Sequence, residues 1–293
     1  MLKIALPNKG RLAEDVRELF ADAGLEVRSR GERALTASLG GEFEAIFVRA
    51  QDIAEFVADG AADAGVTGWD LVCESERALD NLLDLEFGIC RLVVAAREES
   101  GILTLDDVST PAGGVPPRVA TAFPRITTRF FERLGRPITI VPVSGAAEIA
   151  PHLGIADIIV DLTSTGSTMR VNGLREIATV LESSARLVAA TRPDAVTSDQ
   201  KRALSELSDA LSSVLRARGK RYVMANVPRS ALEEVKAVLP GLNGPTVIDI
   251  LNGGSYVAVH AVVAQRAIYR TIADLKALGA EGVLVTRIER LMP

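Results

Sequence analysis

The chain has 293 residues, of which 48% are hydrophobic and 24% charged, and its formal net charge is −5. Length predicts two or three domains, and the apolar content supports a packed core, which excludes a disordered chain. The slight negative charge argues against non-specific binding of nucleic acid, although a local basic pocket stays open.

Cysteines and histidines are scarce. Cys73 and Cys90 have no CxxC spacing, so the sequence indicates no disulfide framework and fits a reducing compartment. His152 and His260 each stand alone, which argues against a zinc site and a histidine-based triad. The N-terminus lacks the apolar stretch of a signal peptide, and no run reaches about 18 apolar residues. A cytoplasmic protein without a membrane span is therefore expected.

Residues 1–90 alternate short apolar runs with amphipathic patterns. The pattern predicts strands over 3–7, 44–50 and 63–68, and helices over 11–23 and 52–60. Such a βαβ alternation predicts a parallel sheet.

The following hundred residues repeat this alternation. Predicted strands cover 90–97, 118–123, 138–145 and 157–163, and 178–191 forms one or two more. Predicted helices cover 125–134 and 146–153, and a loop rich in Gly and Pro covers 109–117.

The pattern changes near residue 193, where a polar, Pro-containing linker (192–200) precedes a long amphipathic helix over 198–218. The remaining segments are predicted as strand 221–227, helix 229–239, strand 246–250, strand 255–263, helix 265–278 and strand 282–288. This β-α-β-β-α-β order is typical of a ferredoxin-like fold and predicts a separate C-terminal domain.

Residues 157–174, DIIVDLTSTGSTMRVNGL, place an acid, several hydroxyls and a glycine after a buried strand. Ligands of α/β proteins bind at such strand ends, and backbone N–H groups there suit an anion. Gly166 permits a tight turn, and Asp161 fits if it holds ribose hydroxyls or a metal-bound ligand. The stretch therefore predicts a site for a phosphate and a ribose; an ordinary capped turn is the alternative.

Four further clusters fall at predicted strand ends: Lys9 and Arg11 in 6–12, Arg49 after the strand 44–50, Asp70 in 67–71, and Glu148 in 143–157. Cations at a helix start make sense if an anion lies between them and the amides. Taken singly, they can be surface charges, a helix cap or a first-turn acid. Their coincidence favours one anion-binding site.

Residues 148–169, EIAPHLGIADIIVDLTSTGSTM, resemble the signature of the ATP phosphoribosyltransferases, which begin histidine biosynthesis. The segments LPNKGRL, VRAQDI and GWDL resemble that family's segments and occur in the same order. The resemblance spans the chain, and the residues after about 195 resemble the regulatory domain of the family's long form.

The resemblance implies that ATP and 5-phosphoribosyl 1-pyrophosphate (PRPP) give N1-(5-phosphoribosyl)-ATP and pyrophosphate, with Mg²⁺. It implies a two-lobed catalytic core like a type II periplasmic binding protein, followed by a ferredoxin-like (ACT-like) α+β regulatory domain. The expected domains are catalytic domain I (1–90, completed by about 178–194), catalytic domain II (91–177) and the regulatory domain (195–293). A homohexamer built from dimers and feedback inhibition by L-histidine are expected.

The family chemistry, in which an oxocarbenium-like centre forms as pyrophosphate leaves, gives each candidate a role. PRPP binding is assigned to Asp161, Ser164, Thr165, Gly166, Ser167 and Thr168, with the 5-phosphate held by the amides and hydroxyls of Thr165 to Thr168. Asp161 and Glu148 hold the ribose, while Arg49 and Lys9 stabilise the pyrophosphate with Mg²⁺. Arg11, Asp70 and Glu148 are assigned to ATP. No protein side chain is assigned as a metal ligand.

The regulatory site is expected at Asn226, Thr246 and Thr286. Asn226 stands where an acid could hold the effector's amino group, and Asp249 could substitute for that acid.

Two other functions stay open. One is a ligand-binding or sensing module of the same bilobal fold, which turnover of PRPP would exclude. The other is a phosphoribosyltransferase acting on a free base, which a comparison of ATP with free bases as acceptors would separate.

Overall fold

The computed structural model describes residues 1–28, 31, 34–110, 114–191, 197–251 and 254–292. It divides into two compact units, Met1–Ser208 and Asp209–Pro293. Within the described residues, every helix is too short or too polar to cross a membrane.

The first unit holds two β-sheets. Its elements are, in chain order, β1 (Leu2–Pro7), α1 (Arg11–Asp22), β2 (Val27–Arg28), β3 (Thr36–Leu39), β4 (Phe43–Val48), α2 (Ile53–Ala58), β5 (Ala64–Gly68), α3 (Trp69–Ser75), β6 (Leu79–Asp84), β7 (Cys90–Arg97), β8 (Arg118–Thr121), α4 (Pro124–Arg133), β9 (Thr139–Pro142), β10 (Ile158–Thr163), α5 (Ser167–Val171), β11 (Leu174–Ser183) and β12 (Ala185–Ala190). The helix α6 (Ser198–Ala217) begins in this unit and ends in the next.

The first lobe is the seven-stranded sheet in the order β2-β3-β4-β1-β5-β12-β6, with its helices. Strand β1 runs parallel to β4 and β5, as the sequence predicts, so the carboxyl ends of these three strands share one edge. Strand β1 is almost wholly buried and contacts α1, whose buried face carries Val16, Leu19 and Phe20.

The second lobe is the five-stranded sheet in the order β11-β7-β10-β8-β9. Its strands β8, β9 and β10 run parallel, whereas β7 and β11 run antiparallel to their neighbours. Val94, Ile158, Val160 and Phe131 form the centre of one of its cores.

The chain crosses between the lobes twice, after β6 and after β11. Strand β12, which returns to the first sheet from the second lobe, runs antiparallel to β5 and β6. The parallel pairing that the βαβ pattern predicts is therefore confirmed for β1, β4 and β5, while β3 and β12 add antiparallel pairs to the same sheet. Apart from the added strands β2 and β3, the two sheets share one strand order, and the predicted two-lobed α/β core is confirmed.

The predicted helix over 146–153 is wrong. Only a 3-10 turn forms, Ala147–Ile149. Pro151 lies inside the predicted helix, where its ring collides with the carbonyl of residue 147 and its missing N–H cannot continue the ladder.

The second unit continues with β13 (Lys220–Pro228), α7 (Leu232–Val238), β14 (Thr246–Asp249), β15 (Tyr256–Ala264), α8 (Ile268–Ala277) and β16 (Glu281–Arg287). Its antiparallel sheet has the order β14-β15-β13-β16, which is the ferredoxin-like topology that the sequence predicts. Alternate residues of β13 and β15 pack with Val235 and Leu275 of the two helices. Of the predicted linker, residues 192–196 lie outside the described part of the chain.

Candidate functional site

Three cations lie at the carboxyl edge of the first lobe's sheet. The register pairs Pro7 with Val48, so Lys9 and Arg49 follow neighbouring strand ends. The N–H of Asn8 donates to the Val48 carbonyl at 2.9 Å, which joins these two chain segments. Lys9 and Arg49 are exposed, and within the described residues neither side chain has a hydrogen bond or an ion pair. Both cations are therefore available to an anion.

The helix α1 begins beside these cations. Gly10 precedes it at φ +82°, a conformation that favours glycine, and no side chain caps the helix. Arg11 is the first helical residue and is exposed. A cation is unfavourable at a helix N-terminus unless an anion is also present, so this geometry keeps the sequence-based reading of an anion site.

The loop 161–168 leaves β10 at the edge that also holds the ends of β8 and β9. Its turn is built by Thr163, whose Oγ1 accepts the N–H of Gly166 at 2.8 Å. The hydroxyls of Thr165 and Ser167 form a hydrogen bond at 2.9 Å. Met169 packs in the core and anchors the turn that follows. The hydroxyl-bearing residues Ser164, Thr165, Ser167 and Thr168 remain exposed. The loop thus presents several donors on a fixed turn.

Gly166 is required at its position for two reasons. Its φ is +72°, in the left-handed region, and a Cβ there would lie 2.5 Å from Oε1 of Glu176. Glu176 in turn accepts a hydrogen bond from Arg91 Nη2 at 2.9 Å. Arg170 Nη2 donates to the Thr165 carbonyl at 3.2 Å. The loop is therefore held from behind by charged side chains.

Two carboxylates lie near each other beside this loop. Asp161 is half-buried, and its burial raises the pKa of the carboxyl; the negative charge of Glu148 raises this pKa further, against a hydrogen bond from the Leu162 N–H at 2.8 Å. Glu148 lies in the 3-10 turn, which follows Ala146 at φ +51°. The charge of Glu148 thus acts on Asp161, while the assignment of both acids to the ribose stays a prediction.

Asp70 occupies a different environment. It is 5% exposed, and its Oδ1 accepts the hydroxyl of Ser183 at 2.6 Å. Burial is the main cause that raises the pKa of this carboxyl. Asp70 lies in the first turn of α3, with Gly68 at the cap position, and it contacts the last residue of β11. Its assignment to ATP stays a prediction.

No cluster of three or more His, Cys, Asp or Glu side chains that could hold a metal ion is found among the described residues. Cys73 and Cys90 are free thiols whose pKa values are raised, first by burial and then by the charge of Asp70.

The three regulatory candidates share a sheet face but do not form a cluster. Asn226, Thr246 and Thr286 are exposed on the face opposite α7 and α8. Thr286 pairs with Tyr222, which puts it about 13 Å from Asn226 along β13. Asp249 lies on the other face and forms an ion pair with Arg229, so it cannot replace an acid at Asn226.

The sequence did not predict three side chains that hold or adjoin the loop: Thr163, Arg91 and Glu176. Thr163 has a local signal, since a hydroxyl three residues before a glycine turn often accepts its backbone N–H. Arg91 and Glu176 have none, because their contact joins residues 85 apart.

Comparisons with known proteins agree along the whole chain. A family model described as ATP phosphoribosyltransferase matches residues 49–213, and a model described as the HisG C-terminal domain matches residues 217–290. The ATP phosphoribosyltransferase of Gemmatimonas aurantiaca is 70% identical over the full length of both chains. That of Methanocaldococcus jannaschii is 42% identical, also over both full lengths. A solved structure of the ATP phosphoribosyl transferase (HisG:HisZ) complex from Thermotoga maritima has a TM-score of 0.62 and 29% identity, covering 74% of this chain and 99% of that one.

Proposed function

This chain belongs to the ATP phosphoribosyltransferase family, and we propose that it transfers the phosphoribosyl group of PRPP to N1 of ATP and releases pyrophosphate. This reaction opens L-histidine biosynthesis. One structural observation carries the proposal: within the signature residues 148–169, the carboxylates of Asp161 and Glu148 interact, and an exposed, hydroxyl-rich loop follows Asp161.

The loop 161–168 would hold the 5-phosphate. Its exposed hydroxyls and the turn at Gly166 supply hydrogen-bond donors, and the anchor at Met169 keeps the turn in place. Holding the 5-phosphate fixes the ribose ring relative to the attacking nitrogen, which lowers the entropic part of the barrier.

Asp161 and Glu148 would accept hydrogen bonds from the ribose hydroxyls. As the bond to pyrophosphate breaks, positive charge develops at the anomeric carbon, and two nearby carboxylates stabilise that charge. Burial raises the pKa of Asp161 and the negative charge of Glu148 raises it further; positive charge that develops near both acids offsets their mutual repulsion. This stabilisation is greatest in the transition state.

Arg49 and Lys9 would bind the leaving pyrophosphate. Both are exposed cations at one sheet edge, and Arg49 can contact two oxygens at once. Arg11, Asp70 and Glu148 are proposed contacts of ATP. No side chain is assigned as a base, because ring N1 of adenine carries no proton that must be removed.

Mg²⁺ fits this donor set. It prefers oxygen ligands and is bound through substrate phosphates with one or two carboxylates, rather than in a cage of protein side chains. Asp161 and Glu148 are the neighbouring carboxylates that would contribute. When bound, Mg²⁺ would neutralise charge on the pyrophosphate group.

Regulation and assembly are further parts of the proposal. L-Histidine would inhibit through the C-terminal domain, with Asn226, Thr246 and Thr286 as candidate contacts, and the protein would act in the cytoplasm as a homohexamer built from dimers. The domain limits 1–90 (completed by about 178–194), 91–177 and 195–293 are proposed in the same sense, with the change that the second lobe includes all of β11 and so extends to Ser183. The Thermotoga maritima protein was solved with a second protein, HisZ; this chain carries a matched C-terminal domain of its own.

The test is a direct assay. Purified protein is mixed with ATP, PRPP and Mg²⁺, the ultraviolet absorbance of the ribosylated adenine is followed, and a pyrophosphatase pulls the reaction forward. An absorbance rise supports the proposal, and suppression by histidine in a parallel cuvette supports the regulatory part. PRPP binding without a rise would favour another acceptor base or a binding module, and parallel assays with free bases separate those two.

A further inference from the structure

A carboxylate lies directly behind the loop 161–168. Oε1 of Glu176, on β11, is 2.5 Å from the position that a Cβ on residue 166 would occupy. Glu176 is half-buried, so water screens its charge only in part. An anion next to a phosphate site repels the phosphate unless a cation neutralises it. The loop can therefore accept a phosphate only if Glu176 is compensated.

Arg91 provides that compensation. It lies on β7, between β10 and β11 in the sheet. Its Nη2 donates to Oε2 of Glu176 at 2.9 Å, and its Nη1 donates to Thr179 Oγ1 at 3.3 Å. The two charged side chains are 36% and 28% exposed, so solvent weakens their attraction without abolishing it.

Arg91 is also joined to the loop through the sheet. In the antiparallel register of β7 and β10 it lies opposite Thr163, the residue whose hydroxyl accepts the N–H of Gly166. Arg91 therefore pairs through its backbone with the strand residue that holds the turn, Thr163, and through its side chain with Glu176.

We propose that Arg91 is a positioning residue for PRPP: it neutralises and orients Glu176, so that the loop 161–168 can hold the 5-phosphate. The inference rests on the proposed function, since it assigns that phosphate to this loop. It predicts effects of opposite sign for the two partners. Loss of Arg91 leaves Glu176 without its ion pair; Arg170 also lies at the loop, but it is bonded to the Thr165 carbonyl and forms no ion pair with Glu176 within the described residues. Loss of the Glu176 charge instead leaves a cation there.

The experiment compares Arg91→Met, Glu176→Gln and the double variant. Arg91→Met should raise the KM for PRPP about tenfold or more, with the KM for ATP within about twofold of wild type. Glu176→Gln should leave the KM for PRPP unchanged or lower it. The double variant should return to within about threefold of wild type, because both charges are then absent. A merely structural ion pair would instead give two impaired single variants and no recovery.

Arg118→Met is the matched control. Arg118 pairs with Asp157 at 2.9 Å in the same lobe, with side-chain exposures of 41% and 43%. This pair joins the start of β8 to the residue before β10, at the sheet edge away from the loop. Its loss should leave the KM for PRPP at the wild-type value.

Binding of ribose 5-phosphate, measured by calorimetry on the same variants, tests the role of Arg91 separately from the proposed transferase function. No turnover of ATP with PRPP by the wild type would count against the proposed function. The affinities of the variants for ribose 5-phosphate would still show whether Arg91 supports phosphate binding. If the wild type is active, either an unchanged KM for PRPP in Arg91→Met or weaker PRPP binding by Glu176→Gln would overturn the inference. If Arg91→Met fails to fold, Arg91→Lys and Glu176→Gln decide: Arg91→Lys keeps the charge and should stay near wild type.

Discussion

Substitution of Gly166 by alanine would test the loop most directly. Residue 166 has φ +72°, where a side chain costs about 1–2 kcal/mol. The new Cβ would meet Glu176 Oε1 at 2.5 Å and Arg170 Nη1 at 3.1 Å. Both contacts are ends of flexible side chains, so Glu176 would move and its ion pair with Arg91 would weaken. Because that pair is about one-third exposed, the added loss is about 0–1 kcal/mol after solvent screening.

The total is therefore about 1–3 kcal/mol, which lowers the Tm by about 2–4 °C per kcal/mol in a unit of this size. Gly135→Ala is the matched control. Gly135 has φ +64° with no atom within 4 Å of an added Cβ, so it shares only the backbone strain. Thermal unfolding should show a loss for both variants, and the KM for PRPP should rise about tenfold or more only for Gly166→Ala. Equal KM values in the two variants would refute the phosphate assignment.

Three further substitutions separate binding from stability. Asp161→Asn should lower kcat by about 10²-fold or more. Since burial and Glu148 raise its pKa, the wild type loses stability as pH rises from below 3.8 through the folded pKa; the Tm of the variant relative to wild type should therefore be higher at pH 7 than at pH 3. Thr163→Val removes the acceptor of a buried N–H, so denaturant unfolding should show a loss of about 1–3 kcal/mol in stability together with a raised KM for PRPP. Thr163→Ser retains the hydroxyl and should keep the wild-type stability and the wild-type KM. Arg49→Gln should lower kcat/KM for PRPP by about 10²-fold with an unchanged Tm, because the side chain is exposed and unpaired within the described residues; a lowered Tm with normal turnover would assign Arg49 to structure instead.

The sequence predicts the loop 161–168 well because its signals are local. A buried strand, a hydroxyl-rich turn and a glycine follow one another within a few residues, and the structure places them at a strand end as expected. The same holds for the order of strands and helices in the C-terminal unit, where alternation of apolar residues marks each element.

Long-range pairings are beyond such reasoning. Asp70 reads as a strand-end acid, yet the structure buries it against Ser183, a residue 113 positions away. Arg91 meets Glu176 only because β7 lies beside β11, and nothing near either residue indicates that neighbour. Local periodicity identifies elements, whereas contacts between sheet strands depend on topology.

The mistaken helix over 146–153 lies next to the candidate site, and its local conformation bears on the chemistry. Ala146 takes φ +51°, which is unfavourable for a residue with a Cβ, and the three-residue turn that follows carries Glu148. Burial raises the pKa of Asp161, and the charge of Glu148 raises it further. Two carboxylates held near each other repel, so this arrangement costs stability in the free protein. A positively charged ribosyl centre would be attracted to both carboxylates, which would offset their repulsion. This attraction gives a physical reason for a strained turn where the residue pattern favours a helix.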